Sequence, residues 1–398
     1  MNKNIVSLEI SHKYIKVVFG YVQNEQIFVT YTKKVPIDHL IENGLIVEKE
    51  ELIKELSKIN PVIDQAAQFN ELINNVILNL PPYGLEVYKT KQMMSVSSAE
   101  RVISEIDIIN IYNGIRNKNL PVDNVLIDII PESFSIDNGN MYAQAPIGKV
   151  TNVLTALVKV HTIPKRINAE FSEVLKGANI SIDRKVISTF AASELIATYP
   201  DAPTSYFLVD IGASSTSVSL IGNKQLLATR SFSWGGDKIT DKIVSKFNIN
   251  ENEAEKIKIL YGLDKRDIKF KYIVSKEETP EGYIKHDIEE LNELIESELE
   301  NFYKGLNIAL EQLALLYKVN DYQSLPFLLI GGSSQLKGLK EFLLSKNTYT
   351  NITPIAPRNI GARDPSLFSL IGSIYVQYKY PNSFNVNKQI QVKVSREE

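Results

Sequence analysis

The chain has 398 residues, enough for two to three domains with more than one buried core. Its 44 basic and 47 acidic residues leave a net charge of −3, a balance that argues against wholesale electrostatic binding to nucleic acid. The absence of cysteine excludes disulfides, thiolate metal sites, iron–sulfur clusters and cysteine nucleophiles.

The amino-terminal stretch carries Lys3, Glu9, Lys13 and Lys16, so it has no uninterrupted apolar core for a signal peptide. No run of about 18 apolar residues occurs anywhere, so the chain reads as soluble and cytoplasmic, with any membrane contact peripheral. His12, His39, His161 and His286 lie too far apart to form a helical pair of metal ligands. Gly148-Lys149 has neither the upstream glycine nor the following Ser or Thr of a phosphate loop, since Ala143 and Val150 stand there. Neither GxGxxG nor GxSxG is present.

The first informative feature is a repeat. Val6 to Phe28 reads as strand, tight polar turn, strand, a turn at Gln23 to Glu25, and strand; Phe207 to Leu227 reads the same way. Glu9-Ile10-Ser11 and Asp210-Ile211-Gly212 stand 201 positions apart, and at that offset Ile15 matches Thr216, Val17 matches Val218 and Phe19 matches Leu220. Two equivalent hairpins imply two related lobes. Short residues at Ser11, Gly212, Ala213, Ser214 and Ser215 let a chain pass close to an anion and donate to it. An acidic residue ending each first strand, Glu9 and Asp210, suits a hydrated Mg²⁺.

A third glycine site lies at Phe327 to Leu339, where an apolar strand runs into Gly331-Gly332-Ser333 and a helix is expected to begin near Gln335. Between the repeats lies Trp234-Gly235-Gly236-Asp237, then the stretch INENEAEKIKILYG, read as helical with Glu253 and Lys256 on one face. From Ile284 to Leu316, apolar Ile288, Leu291, Ile295, Leu299, Phe302, Leu306 and Leu310 recur at helical spacing and predict a long amphipathic helix.

In order and joint spacing, the hairpin pair, GGDKITDKIV, EAEKIKILYG, LLIGGSSQLKGL and GARDPSLFSLIGSIYV resemble the actin-like ATPase superfamily and, within it, the FtsA cell-division family. The span PVDNVLIDIIPESFSIDNG with PIGKVTNVLTALVKVHTI is similar to the subdomain inserted in that family. The resemblance implies an α/β, actin-like two-lobe fold with duplicated mixed-sheet domains and an FtsA-type inserted subdomain. The first lobe would comprise residues 1–88, 166–205 and 354–398, with the insert at 89–165. The second lobe would comprise 206–239 and 313–353, with an outer subdomain at 240–312.

By the same resemblance, Ser11, His12, Lys13 and Gly212, Ala213, Ser214, Ser215 and Thr216 would contact the phosphates of ATP, and Glu9 and Asp210 would hold Mg²⁺ through water. Gly236, Glu253, Lys256, Gly331, Gly332 and Ser333 would complete the nucleotide site around ribose and adenine. The implied role is an adaptor that self-associates into filaments and docks the carboxyl-terminal tail of FtsZ at the inner face of the cell membrane. Lys265, Arg266, Lys269 and Lys271 form a basic strip suited to an acidic tail. A relative with the same insert, PilM, which captures a peptide of a membrane partner, is the alternative.

Several positions depart from the family pattern. Glu9 stands where Asp is usual, Ser217 where the second loop has Asp, and Ser188 where a Glu orders the attacking water, so nucleotide binding with weak or absent hydrolysis is expected. Ala213 and Ser214 replace glycines of the cradle. Residues from Phe384 to Val394 alternate at strand period where the family carries an amphipathic membrane helix, so the expectation is a truncated chain, attachment through a partner, or no membrane binding.

Overall fold

The computed structural model of the chain describes residues 4–37, 40–42, 44–118, 121–137, 139–264, 272–280 and 282–380. The chain opens with an antiparallel meander, β1 (Ile5–Ile10), β2 (Tyr14–Gln23) and β3 (Gln26–Pro36). Asn24 and Glu25 between β2 and β3 both have positive φ, as a two-residue hairpin turn demands. Two small hairpins, β4 (Ile41–Glu42) with β5 (Leu45–Ile46) and β6 (Val62–Asp64) with β7 (Phe69–Glu71), flank α1 (Lys49–Lys58). Strand β8 (Asn75–Leu80) then lies parallel to β1.

The inserted subdomain follows as β9 (Glu86–Ser95), α2 (Glu105–Arg116), β10 (Asn124–Ile136), β11 (Met141–Tyr142) and β12 (Val153–Pro164), with sheet order β11-β10-β12-β9 and a core of its own. Helix α2 is fixed by a capping box in which Asp107 accepts from both the backbone N–H and the hydroxyl of Ser104. The chain returns through α3 (Lys165–Gly177), β13 (Ser181–Ile187) and α4 (Ser188–Ala197).

The second lobe begins with β14 (Tyr206–Ile211), β15 (Thr216–Gly222) and β16 (Gln225–Phe232), then α5 (Asp237–Phe247) and α6 (Glu251–Tyr261). Hairpin β17 (Ile273–Thr279) and β18 (Gly282–Asp287) leads into α7 (Ile288–Tyr317). Strand β19 (Phe327–Ile330), α8 (Leu339–Ser345), β20 (Ile352–Pro354) and α9 (Phe368–Lys379) complete the described chain.

The two main sheets are built alike: β3-β2-β1-β8-β13 in the first lobe and β16-β15-β14-β19-β20 in the second. Register repeats with the topology, since Ile10 faces Ile15 and Glu9 faces Lys16 in one hairpin, while Ile211 faces Thr216 and Asp210 faces Ser217 in the other. Helix α7 buries all seven residues that carried its apolar stripe. It starts at Ile288 because Asp287 accepts from the N–H groups of Glu289 and Glu290, and residues 284–287 belong to β18.

Two local expectations are corrected. Gly332–Gln335 forms a 3₁₀ turn and the α-helix starts only at Leu339, because Ser334 Oγ donates to the Gly331 carbonyl and Gly338 has φ +80°. The stretch from Ile249 is helical only from Glu251, where Asn250 caps α6 by accepting from Glu253 N–H. The strand-period segment 384–394 lies outside the described residues. Among the described residues no helix is long and apolar enough to cross a membrane.

The lobes meet over α4, which touches strands of both sheets and packs against α9 beneath the first, and Tyr206, Leu208, Leu328 and Ile330 of the second lobe share one core with the first. At the crossing, a Cβ on Gly372 would overlap the Ala191 carbonyl oxygen. A mid-helix glycine otherwise costs about 1 kcal/mol, so close approach is the reason for this one. Gly372→Ala is expected to lower unfolding stability by about 2 kcal/mol through overpacking, read from thermal or urea denaturation.

Candidate functional site

A cleft of about 480 Å³ lies between the lobes, within the range of small-molecule sites. Its floor is formed by the carboxyl ends of β1 and β14, the central strands of the two sheets, which carry Glu9 and Asp210. The two acids differ in surroundings. Glu9 is ion-paired to Lys16, directly opposite on β2, and accepts from Ser369 Oγ of α9. Lys16 also donates to the Ser366 carbonyl at 3.0 Å. Asp210 faces Ser217 in place of a cation, and burial with the neighbouring Glu9 charge pushes its pKa up to about 6, against the opposing pull of Lys16.

The turns after these strands are also equivalent. Ser11 N–H donates to the Tyr14 carbonyl and Gly212 N–H to the Ser215 carbonyl, both at 2.9 Å. The second turn is tied to its neighbours: Asp237 N–H donates to the Ala213 carbonyl, Gly236 N–H to the Gly212 carbonyl, and Ser333 Oγ to that same carbonyl at 2.8 Å. Thr216 is buried and donates through Oγ1 to the Trp234 carbonyl, so its hydroxyl fixes the Gly235-Gly236 turn.

Ser11, His12, Lys13, Gly212, Ala213, Ser214, Ser215, Gly236, Gly331, Gly332 and Ser333 all line the cleft with Glu9 and Asp210. Gly331 has φ +86° and an added Cβ would overlap the Asp210 carboxylate, so this turn presses backbone onto the floor. At Gly332 an added Cβ would meet nothing within 4 Å. That opening, beside two carboxylates, hydroxyls and the Lys13 ammonium, fits a phosphate-bearing ligand with a hydrated divalent cation.

Glu253 and Lys256 are placed differently from the expectation: both are exposed and outside the cleft lining. Helix α6 turns its other face inward, where Glu255, Lys258 and Ile259 line the cleft. Residues two positions apart on a helix are separated by about 200°, so moving from Glu253 to Glu255 crosses the helix. Lys258 is buried and donates to the Gly236 carbonyl at 3.0 Å, Thr240 Oγ1 at 2.9 Å and Glu255 Oε2 at 2.7 Å, which braces the glycine turn. Sequence reading missed Lys16, Asp237, Glu255 and Lys258; the spacing of Glu251, Glu255 and Lys258 on one helical face was the available signal. Ser188 and Ser217 are buried in the cleft lining. Lys265, Arg266, Lys269 and Lys271 lie outside the described residues.

The raised Asp210 pKa has a defined sign. The unfolded carboxyl ionises near its ordinary value of 3.8 and the folded one near 6, so stability declines as pH rises between them and the penalty persists at neutral pH. Asp210→Asn is expected to flatten that decline and to raise stability at pH 7 by on the order of 1 kcal/mol, measured by denaturation of the ligand-free protein across pH 4–7.

Comparison with known proteins agrees with this architecture. Residues 207–372 match the family described as "Cell division protein FtsA", and residues 82–163 match "SHS2 domain inserted in FTSA". The Enterococcus faecalis Cell division protein FtsA is 25% identical over 391 residues, covering 96% of this chain and 85% of that protein. Among solved structures, a chain of the "PilM-PilN type IV pilus biogenesis complex" superposes with a TM-score of 0.60 at 20% identity, covering 94% of this chain and 98% of that one. MreB 5 of Spiroplasma citri bound to AMPPNP superposes with a TM-score of 0.54 at 13% identity, covering 96% and 98%. At these identities the structural likenesses establish the fold, which is actin-like with an SHS2 insertion.

Proposed function

This chain belongs to the FtsA family of cell-division proteins, and we propose that it is an actin-like division adaptor that binds ATP with Mg²⁺ in the interlobe cleft. The observation that carries this reading is the repeated hairpin register, which brings Glu9 and Asp210 to facing strand ends and two equivalent polar turns to the same cavity. In it, Ser11, Lys13 and the Gly212–Ser215 turn receive the phosphates, Glu9 and Asp210 hold the hydrated cation, and Gly236 and Gly331–Ser333 border the rest of the nucleotide. When bound, the cation would neutralise phosphate charge and relieve the Asp210–Glu9 repulsion.

Hydrolysis is proposed to be weak. Ser188 and Ser217 present hydroxyls rather than carboxylates to the cleft, and a missing water-orienting base is worth about 10²- to 10⁴-fold in rate. ATP then serves as a ligand that biases lobe closure, and closure biases self-association. We further propose that the partners are other copies of the chain and the FtsZ tail, at the membrane face of the division site. The basic strip at 265–271 remains the proposed FtsZ contact.

Calorimetry of ATP and ADP with and without Mg²⁺, with phosphate release followed in the same samples, tests the cleft reading. The expected outcome is Mg²⁺-dependent binding with phosphate release at background, and loss of the Mg²⁺ dependence in Asp210→Asn. Steady turnover that Ser188→Ala or Ser217→Ala abolishes would overturn the weak-hydrolysis assignment. Fluorescence anisotropy of an FtsZ tail peptide is expected to rise on titration with the protein, and to rise less for a chain with Lys265, Arg266, Lys269 and Lys271 neutralised.

A further inference from the structure

The mouth of the cleft is bridged by charge. Lys13 lies in the turn between β1 and β2, yet its ammonium is occupied by the opposite lobe: 2.6 Å from Asp237 Oδ1, 3.0 Å from Glu251 Oε1 and 3.8 Å from Glu255 Oε2. Asp237 opens α5, and Glu251 and Glu255 stand one turn apart on α6. His12 reaches the same carboxylate, with Nε2 3.3 Å from Asp237 Oδ2, while its Nδ1 donates to the Ile41 carbonyl. Burial works against the Lys13 charge, but the hydrogen bond and charge of Asp237, with Glu251 and Glu255, hold its pKa above the ordinary lysine value.

The arrangement is one-sided. The matching turn of the second lobe, Gly212 to Ser215, carries no cation, so the bridge consists of one first-lobe ammonium on second-lobe carboxylates. One of those carboxylates is braced from behind, since Lys258 and Thr240 donate to Glu255 Oε2 at 2.7 Å. Lys13 is also the cleft-lining ammonium assigned above to phosphate, and one ammonium cannot satisfy a polyphosphate and three carboxylates together.

We propose that Lys13 is a latch whose ion pairs with Asp237, Glu251 and Glu255 hold the lobes together in the absence of nucleotide, and that a polyphosphate enters by taking the ammonium from those carboxylates. The competition rests on the nucleotide reading of the cleft; the closure does not. A ligand shifts closure only by its differential affinity for the two states, and transfer of Lys13 supplies that difference.

Because the chain has no cysteine, two can be introduced for spin labels. Glu42→Cys and Lys256→Cys place them at exposed positions, one in each lobe, beside the cleft-lining residues Ile41 and Glu255. Double electron–electron resonance on the nucleotide-free full chain should give a short, narrow distance distribution. Lys13→Met, and independently Asp237→Asn with Glu251→Gln, should lengthen and broaden it; unchanged distances in both folded variants overturn the latch.

Stopped-flow binding of a fluorescent ATP analogue to Glu251→Gln should be about fivefold faster than to the parent and less salt-dependent. Equal rates in parent and variant overturn the competition. Absence of analogue binding in every form, with distances still responding to the substitutions, defeats the nucleotide reading and leaves the latch standing.

Discussion

Everything in the cleft depends on how closely α4 and α9 approach beneath it. Gly372 lets α9 lie against the Ala191 carbonyl of α4, and a side chain there would force the helices apart. Helix α4 follows the last strand of the first lobe, and α9 brings the chain back after the second. A buried network holds α9 to its sheet: Ser7 Oγ lies 2.7 Å from Ser373 Oγ, and Asn79 donates to Ser7 Oγ at 2.8 Å. Since packed interiors deform little, fixing these helices fixes the separation of Glu9 and Asp210 above them.

The duplicated hairpins share geometry but not charge. At the position opposite the strand-end acid, the first lobe places Lys16 and the second places Ser217. Glu9 is therefore neutralised within its own hairpin, while Asp210 is left to burial and the Glu9 field. The structure accepts an unfavourable carboxylate at its centre, as binding sites do when a cationic ligand supplies the missing charge. At the mouth the asymmetry reverses, with the Lys13 ammonium on the first lobe and carboxylates on the second.

Much of this was legible in the residues because strands have a period of two and the repeat has a fixed offset. The offset of 201 that aligned Glu9 with Asp210 also aligns the hairpin registers, since slipping a strand by one residue would turn its buried side chains to solvent. Helix α7 was equally clear, because its apolar stripe is long and unbroken. Helix α6 was not. It is short and polar, charges occur on several faces, and Glu253 with Lys256 is as good an i,i+3 pair as Glu255 with Lys258. Only packing of Ala254 and Ile257 into the second-lobe core rotates Glu255 and Lys258 toward the cleft.

The sequence by itself determined two equivalent hairpins, the acid at the end of each first strand, the glycine turns and the long helix, because each is written in local periodicity or in residues of special backbone freedom. Tertiary structure decided which face of α6 meets the cleft, that Lys16 rather than another cation neutralises Glu9, and that Lys13 crosses to the second lobe. Those contacts join residues more than 200 positions apart in the case of Lys13 and its three carboxylates, and the Glu9–Lys16 pair joins strand neighbours that are held by Ser369 of α9 and by the Ser366 carbonyl just before it. No local pattern encodes a separation of that kind; it is set by two helices crossing at a glycine.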